Sequence, residues 1–166
     1  MNSNNIGSDE VLLWLQRMSK ELRSLINSDT AKIVGIKTGG VVIARHLQQL
    51  LEIEHPVGEL NISFYRDDFS RIGLHPQVGA SNIPYSIDGE TIVLVDDVLY
   101  SGRTVRAAMN EIFDFGRPER IILATLVERN GRELPVCAAV VGCKMQLMQN
   151  ETVKLIDDLS LVVKSI

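Results

Sequence analysis

One stretch, Thr91 to Thr104, constrains this chain more than any other. Thr91-Ile92-Val93-Leu94-Val95 is an apolar run with the length of a strand buried on both faces. It leads straight into two carboxylates, Asp96 and Asp97, and then into Val98-Leu99-Tyr100-Ser101-Gly102-Arg103-Thr104. That turn, carrying hydroxyls and a glycine, opens a helix running to about Phe115 and ended by Gly116 and Pro118. A strand apolar throughout, feeding directly into a helix, belongs in a mostly parallel sheet covered by helices on both faces.

The rest of the chain repeats this alternation. Val11, Leu12, Leu15, Met18, Leu22, Leu25 and Ile26 recur at helical spacing, predicting a helix over 9–26 with Ser8 available as its cap. Lys32 to Ile36 reads as a short strand, Lys37-Thr38-Gly39-Gly40 as a glycine turn, and Val41 to Leu51 as a second helix. Val57 to Tyr65 alternates as a strand, while Ile121 to Val127 and Pro135 to Val141 read as further strands. Between them, Arg66 to Pro84 holds charges, glycines and prolines without a period, and reads as a functional lid rather than a disordered segment. No internal repeat or low-complexity tract interrupts the pattern. An α/β fold in a single domain over 1–166 is expected.

The remaining composition excludes several classes. No apolar run approaches the roughly 20 residues that span a bilayer, and the polar start Met1 to Glu10 is unlike a signal peptide, so a soluble, cytoplasmic protein is expected. A net charge of −4 argues against a surface that grips phosphate backbones all round. Cys137 and Cys143 have neither CxxC nor metal-ligand spacing and read as reduced core residues. His46, His55 and His75 have no partnered pattern and read as surface residues. Trp14 reads as core or as a subunit contact. No covalent nucleophile stands beside a candidate base.

Ligands of open α/β sheets lie beyond the carboxyl ends of the strands, so Asp96 and Asp97 are expected to face that crevice. Amide N–H groups from Tyr100 to Thr104, the hydroxyls of Ser101 and Thr104, and the positive end of the following helix would hold a phosphate. Gly102 would permit the close backbone approach. Two acids alone could simply end a strand. Followed by this loop they describe a sugar phosphate, with carboxylates accepting hydrogen bonds from ribose hydroxyls.

The segment Val93 to Thr104 resembles the motif by which type I phosphoribosyltransferases bind phosphoribosyl pyrophosphate (PRPP). Within that superfamily the chain is most similar to the PyrR family of pyrimidine operon attenuators that are also uracil phosphoribosyltransferases. Val34 to Thr38, Gly58 to Leu60, Tyr65 to Asp68, Val105 to Met109, Asp114 to Pro118 and Gly131 to Pro135 add to the likeness, which runs from Glu10 to about Gly142. The resemblance implies a central, mostly parallel sheet flanked by helices, with a small hood of C-terminal strands that reads the base and a flexible loop. Asp96 and Asp97 would bind the ribose, and Leu99, Tyr100, Ser101, Gly102, Arg103 and Thr104 the 5-phosphate. Lys37, Thr38, Gly39 and Gly40 would form the pyrophosphate loop, where a non-proline cis peptide is a known device of the superfamily. Arg66 to Ser81 would close over the reaction, with Arg66 catalytic beside Asp96 and Asp97. No direct protein metal site is implied: Mg²⁺ would enter mainly on PRPP. Purine enzymes commonly carry an acid where Tyr100 stands, so a pyrimidine is favoured, giving UMP and pyrophosphate from uracil. A homodimer or larger assembly is implied.

The chain departs from the family at telling places. Gly39 replaces an arginine of the usual Lys-Thr-Arg-Gly loop, removing one cation for pyrophosphate. Arg17 and Lys20 on the first helix are the candidate RNA-binding residues, but with Arg23 they also read as an ordinary solvated face. Cys137 stands at a usual arginine position, and Gly142-Cys143-Lys144-Met145 replaces a usual Gly-Lys-Asn segment. Binding of an RNA leader is therefore the weaker half of the assignment. Three readings stand at this point: a uracil phosphoribosyltransferase, an attenuator sensing UMP or UTP with little turnover, and a nucleotide binder without turnover.

Overall fold

The computed structural model describes residues 5–62, 79–156 and 159–166. Their elements run β1 (Asn5–Ile6), α1 (Ser8–Leu25), β2 (Lys32–Ile36), α2 (Gly39–Leu51), β3 (Gly58–Leu60), β4 (Thr91–Leu99), α3 (Arg103–Phe115), β5 (Arg120–Arg129), β6 (Val140–Met145), β7 (Glu151–Leu155) and β8 (Leu161–Ser165). Five strands form a parallel sheet in the order β3-β2-β4-β5-β6. A second, antiparallel sheet has the order β1-β8-β7 and is the expected hood.

Residue alternation explains the layering. Val93 and Val95 of β4, with Ile122, Ala124 and Leu126 of β5, face a core built with α1 and α2. Ile92 and Leu94, with Leu123, face the opposite core, filled by Val105, Ala108 and Ile112 of α3. Successive side chains of a strand point to opposite faces, so a strand covered on both sides must be apolar at every position. Trp14 lies in the first of these cores.

Several expectations change. The first helix is capped by Gly7, whose carbonyl accepts from the Val11 N–H at 3.3 Å, so Ser8 lies inside the helix and its hydroxyl makes no cap. Pairing with β5 carries β4 on to Leu99, so the two carboxylates sit within the strand rather than beyond it. Residues 135–139 are not a strand. The Val136 N–H bends back to the Leu134 carbonyl at 2.7 Å, while Val136 and Ala138 pack against the α3 core. Their apolarity serves packing rather than pairing.

Among the described residues of the expected strand 57–65, Gly58–Leu60 pair with β2, and 63–65 lie outside the described residues. The Asn61 N–H instead donates to Ser81 Oγ at 2.7 Å, and its amide donates to the Gly79 carbonyl. Most of the expected lid, Arg66 and His75 included, lies outside the described residues. Its far end is fixed by reciprocal bonds between Glu59 and Asn82, each 2.8 Å. Cys137 is exposed rather than core, whereas Cys143 is half-buried and packs against the α1–α2 core; both are free.

Candidate active site

The crevice lies at the carboxyl end of the parallel sheet, under the hood. A cavity of about 460 Å³ is lined by Asp96, Asp97, Tyr100, Ser101, Arg103 and Thr104 from the β4–α3 segment, by Glu133, and by Thr152, Val153 and Lys154 of β7. A neighbouring cavity of about 350 Å³ is lined by Lys37, Thr38, Gly39 and Val42, by Asp97, and by Lys154 to Ile156. Asp97 and Lys154 border both, so the two cavities lie side by side as the halves of one groove. Its ends are the hydroxyl-bearing loop and the glycine turn.

Gly102 caps α3 in the left-handed region at φ 93°, a conformation open to glycine and costly for other residues. The Arg103 N–H donates to Ser101 Oγ at 3.3 Å, turning that hydroxyl toward the helix start. The Ser101 carbonyl accepts from the N–H groups of Glu133 and Leu134, both at 3.0 Å, which pins the loop from the far side. Arg103 Nε lies 2.8 Å from a Glu133 carboxylate oxygen. The loop and the first turn of α3 thus border the cavity, and a helix N-terminus there favours an anion.

Asp96 is buried, and its carboxylate accepts the Asp97 N–H at 3.0 Å. Asp97 is half-exposed and stands over Gly39, where any Cβ would collide with its carboxylate. Gly40 allows a similar approach: a Cβ there would lie 2.5 Å from the Val95 carbonyl. The Lys37–Thr38 peptide is cis, the device the resemblance implied. Lys37 Nζ lies 3.1 Å from a Glu59 carboxylate oxygen, whose partner oxygen meets Arg45 at 2.6 Å. Burial pushes the Glu59 carboxyl up, but Lys37 and Arg45 outweigh it and hold the group below its ordinary value.

The structure thus brings Asp96, Asp97, Tyr100, Ser101, Arg103 and Thr104 together with Lys37, Thr38 and Gly39. Leu99 contributes backbone only, since its side chain is buried in the α3 core. Arg66 lies outside the described residues. Arg17 and Lys20 are remote from the groove: Arg17 donates to the Gly142 carbonyl, tying α1 to β6, and Lys20 is exposed. His55 is not a free surface residue; its Nε2 lies 2.6 Å from Lys32 Nζ, which makes Nε2 the acceptor.

Three participants were not visible in the sequence. Lys154 reaches the groove from the hood. Arg129 stacks its guanidinium 4.3 Å from the Tyr100 ring centre and donates to the Glu151 carbonyl at 2.7 Å, joining the hood to the phosphate loop. Arg132 donates to the Tyr100 carbonyl and lies 2.6 Å from Glu128. These contacts bridge β4, β5 and β7, and no short motif encodes them.

Residues 8–159 match the family model described as the phosphoribosyl transferase domain. The bifunctional protein PyrR of Nitrosococcus oceani is 54% identical over 142 residues, covering 84% of this chain and 77% of that protein. The bifunctional protein PyrR of Pseudomonas paraeruginosa is 50% identical over 145 residues, covering 86% of this chain and 85% of that protein. A solved structure of a hypoxanthine-guanine phosphoribosyltransferase from Bacillus anthracis superposes with a TM-score of 0.74 over 100% of both chains at 13% identity, a likeness of fold alone. The domain match over nearly the whole chain and the half-identical relatives place this protein in the phosphoribosyltransferase family, among the PyrR proteins.

Proposed function

We propose that this chain, acting as one domain over residues 1–166 in the cytoplasm, is a uracil phosphoribosyltransferase that converts uracil and PRPP to UMP and pyrophosphate. The adjoining cavities at the Tyr100–Thr104 loop and the Lys37–Gly39 turn, with Asp97 bordering both, carry this reading. PRPP has an anionic group at each end of a ribose, and the groove has an anion site at one end, a glycine turn at the other and carboxylates between.

In this reading the amides of Tyr100 to Thr104 hold the 5-phosphate while Asp96 and Asp97 accept the ribose hydroxyls. Lys37 and the Thr38–Gly40 backbone face the pyrophosphate. As the bond from ribose to pyrophosphate breaks, positive character grows on the sugar, and a fixed carboxylate beneath it stabilises that charge without reorganising. The hood and the Tyr100 ring bound the place of the base. Arg66 belongs to the segment proposed to close over it and exclude water.

Phosphoribosyltransferases generally use Mg²⁺ with PRPP. Among the described residues no group of three or more His, Cys, Asp or Glu side chains could hold a metal ion. The acidic pair alone fits Mg²⁺ bound mainly through substrate oxygens, since this ion is commonly held by one or two carboxylates plus phosphates. Bound there, Mg²⁺ would offset charge on the leaving pyrophosphate.

The test is UMP synthesis by the folded Asp96→Asn, Asp97→Asn double variant, which keeps shape and removes charge. Turnover should fall by roughly 100-fold or more, the scale of losing one electrostatic stabiliser. Undiminished synthesis would refute the mechanism.

Regulation through an RNA leader is the second activity of this reading, and Arg17 and Lys20 are its candidates. With Arg17 already donating to Gly142 and cysteines at 137 and 143, weak, salt-sensitive binding or none is expected. Tight, sequence-selective binding to a pyrimidine-operon leader at physiological salt, altered by UMP, would overturn that. The active form is a homodimer or larger assembly.

A further inference from the structure

The glycine-turn half of the groove is short of positive charge. Position 39 has no side chain, and Asp97 occupies the space one would fill. The Lys37 ammonium lies 3.1 Å from Glu59, so its charge is already shared. Yet the reading above places a pyrophosphate here, with several negative charges. Among the described residues lining this cavity one other cation remains, Lys154. It comes from β7, far from the pyrophosphate turn in sequence.

Lys154 lies on the open side of its strand. Val153 is buried in the α1–α2 core, so alternation turns Thr152 and Lys154 the other way. Lys154 borders both the phosphate-loop cavity and the glycine-turn cavity. No carboxylate among the described residues forms an ion pair with it, although Asp97 borders the same two cavities. Four carbons of stem give its ammonium reach across the groove, and its three N–H donors suit phosphate oxygens.

We propose that Lys154 binds the pyrophosphate of PRPP from the hood, supplying the cation that position 39 lacks. The inference rests on the PRPP reading of the groove. It assigns the hood a part in holding the leaving group as well as in bounding the base. Because Lys154 is on the hood and Lys37 on the parallel sheet, pyrophosphate held between them draws the two sheets together.

The test is calorimetry with PRPP, inorganic pyrophosphate and UMP, each with Mg²⁺, on wild type, Lys154→Met and Lys154→Arg. Position 154 is exposed, so both variants should fold, which thermal melting verifies. Lys154→Met should weaken PRPP and pyrophosphate by about 10-fold, the scale of one hydrogen bond to a charged group. UMP, which has no pyrophosphate, should change by less than about twofold, as for a surface substitution. Lys154→Arg should retain most of the pyrophosphate affinity. Loss of UMP affinity with pyrophosphate unchanged would make Lys154 a reader of the nucleotide and overturn the proposal, as would unchanged affinity for all three. Failure of the wild type to bind PRPP would instead overturn the underlying reading of the groove.

Discussion

Gly102 offers the sharpest test of the phosphate loop, because the structure provides its own control in Gly89. Both glycines have positive φ, 93° and 70°. An alanine forced into that region costs about 1–2 kcal/mol. At Gly89 nothing lies within 4 Å of an added Cβ, so Gly89→Ala should lose only that amount. At Gly102 the Cβ would lie 3.3 Å from Val136, tighter than ordinary packing, with Leu134 in contact at 3.4 Å. The 133–136 segment must then shift, and it holds the Ser101 carbonyl through the N–H groups of Glu133 and Leu134. Overpacking adds about 1–3 kcal/mol, so Gly102→Ala should cost about 2–5 kcal/mol in urea unfolding. Displacing one amide from a bound phosphate should also weaken UMP by about 10-fold or more in calorimetry at a temperature where both variants are folded. Gly89→Ala should bind UMP like wild type. The reasoning fails if Gly102→Ala keeps wild-type UMP affinity, or if the two variants lose affinity alike.

Other expectations follow from groups outside the groove. The Tyr85 hydroxyl donates to the Ile33 carbonyl at 2.8 Å and accepts from the Gly58 N–H at 3.2 Å, and burial pushes its pKa up to about 12. The neutral phenol is favoured by folding, so its contribution is complete below about pH 10, the unfolded value, and lost as pH rises through about 12; absorbance titration should show a late-ionising component that Tyr85→Phe removes. Glu59 has the opposite sign: its lowered pKa contributes stability above the ordinary carboxylate value, lost as pH falls through the folded value, and Glu59→Gln should flatten that part of the acid unfolding curve. Burial and Glu10 push the Cys143 thiol up against the opposing pull of Arg17, while Cys137 is exposed. A thiol reagent at neutral pH should therefore label Cys137 first, and equal rates would contradict this.

The parallel sheet was legible because its signals are local. The bounds of β2, Lys32–Ile36, and the end of α3 at Phe115 follow from apolar runs closed by glycine or proline. The 135–139 part of the 135–141 run misled because apolarity records burial, and here a loop rather than a strand is buried against α3 before β6 begins at Val140. The hood was legible only through family likeness: β1 has two residues, too few for any period, and exists by pairing with β8 across the length of the chain. The candidate site divides in the same way. Asp96 to Thr104 form one contiguous motif that reads as a sugar-phosphate site on its own. The approach of Asp97 to Gly39, the stacking of Arg129 on Tyr100 and the reach of Lys154 into the groove are contacts between distant segments, with no spacing to reveal them.

The central claim is that the groove joins a pyrimidine to the ribose of PRPP, and turnover of competing bases tests it most directly. Uracil, hypoxanthine and guanine should each be given to the wild-type protein with PRPP and Mg²⁺, and nucleoside monophosphate and pyrophosphate quantified together. UMP should form with one pyrophosphate released per UMP, and uracil should be used in preference to either purine. Purine nucleotides formed in preference to UMP, or no nucleotide from any base by a protein that binds PRPP, would contradict it.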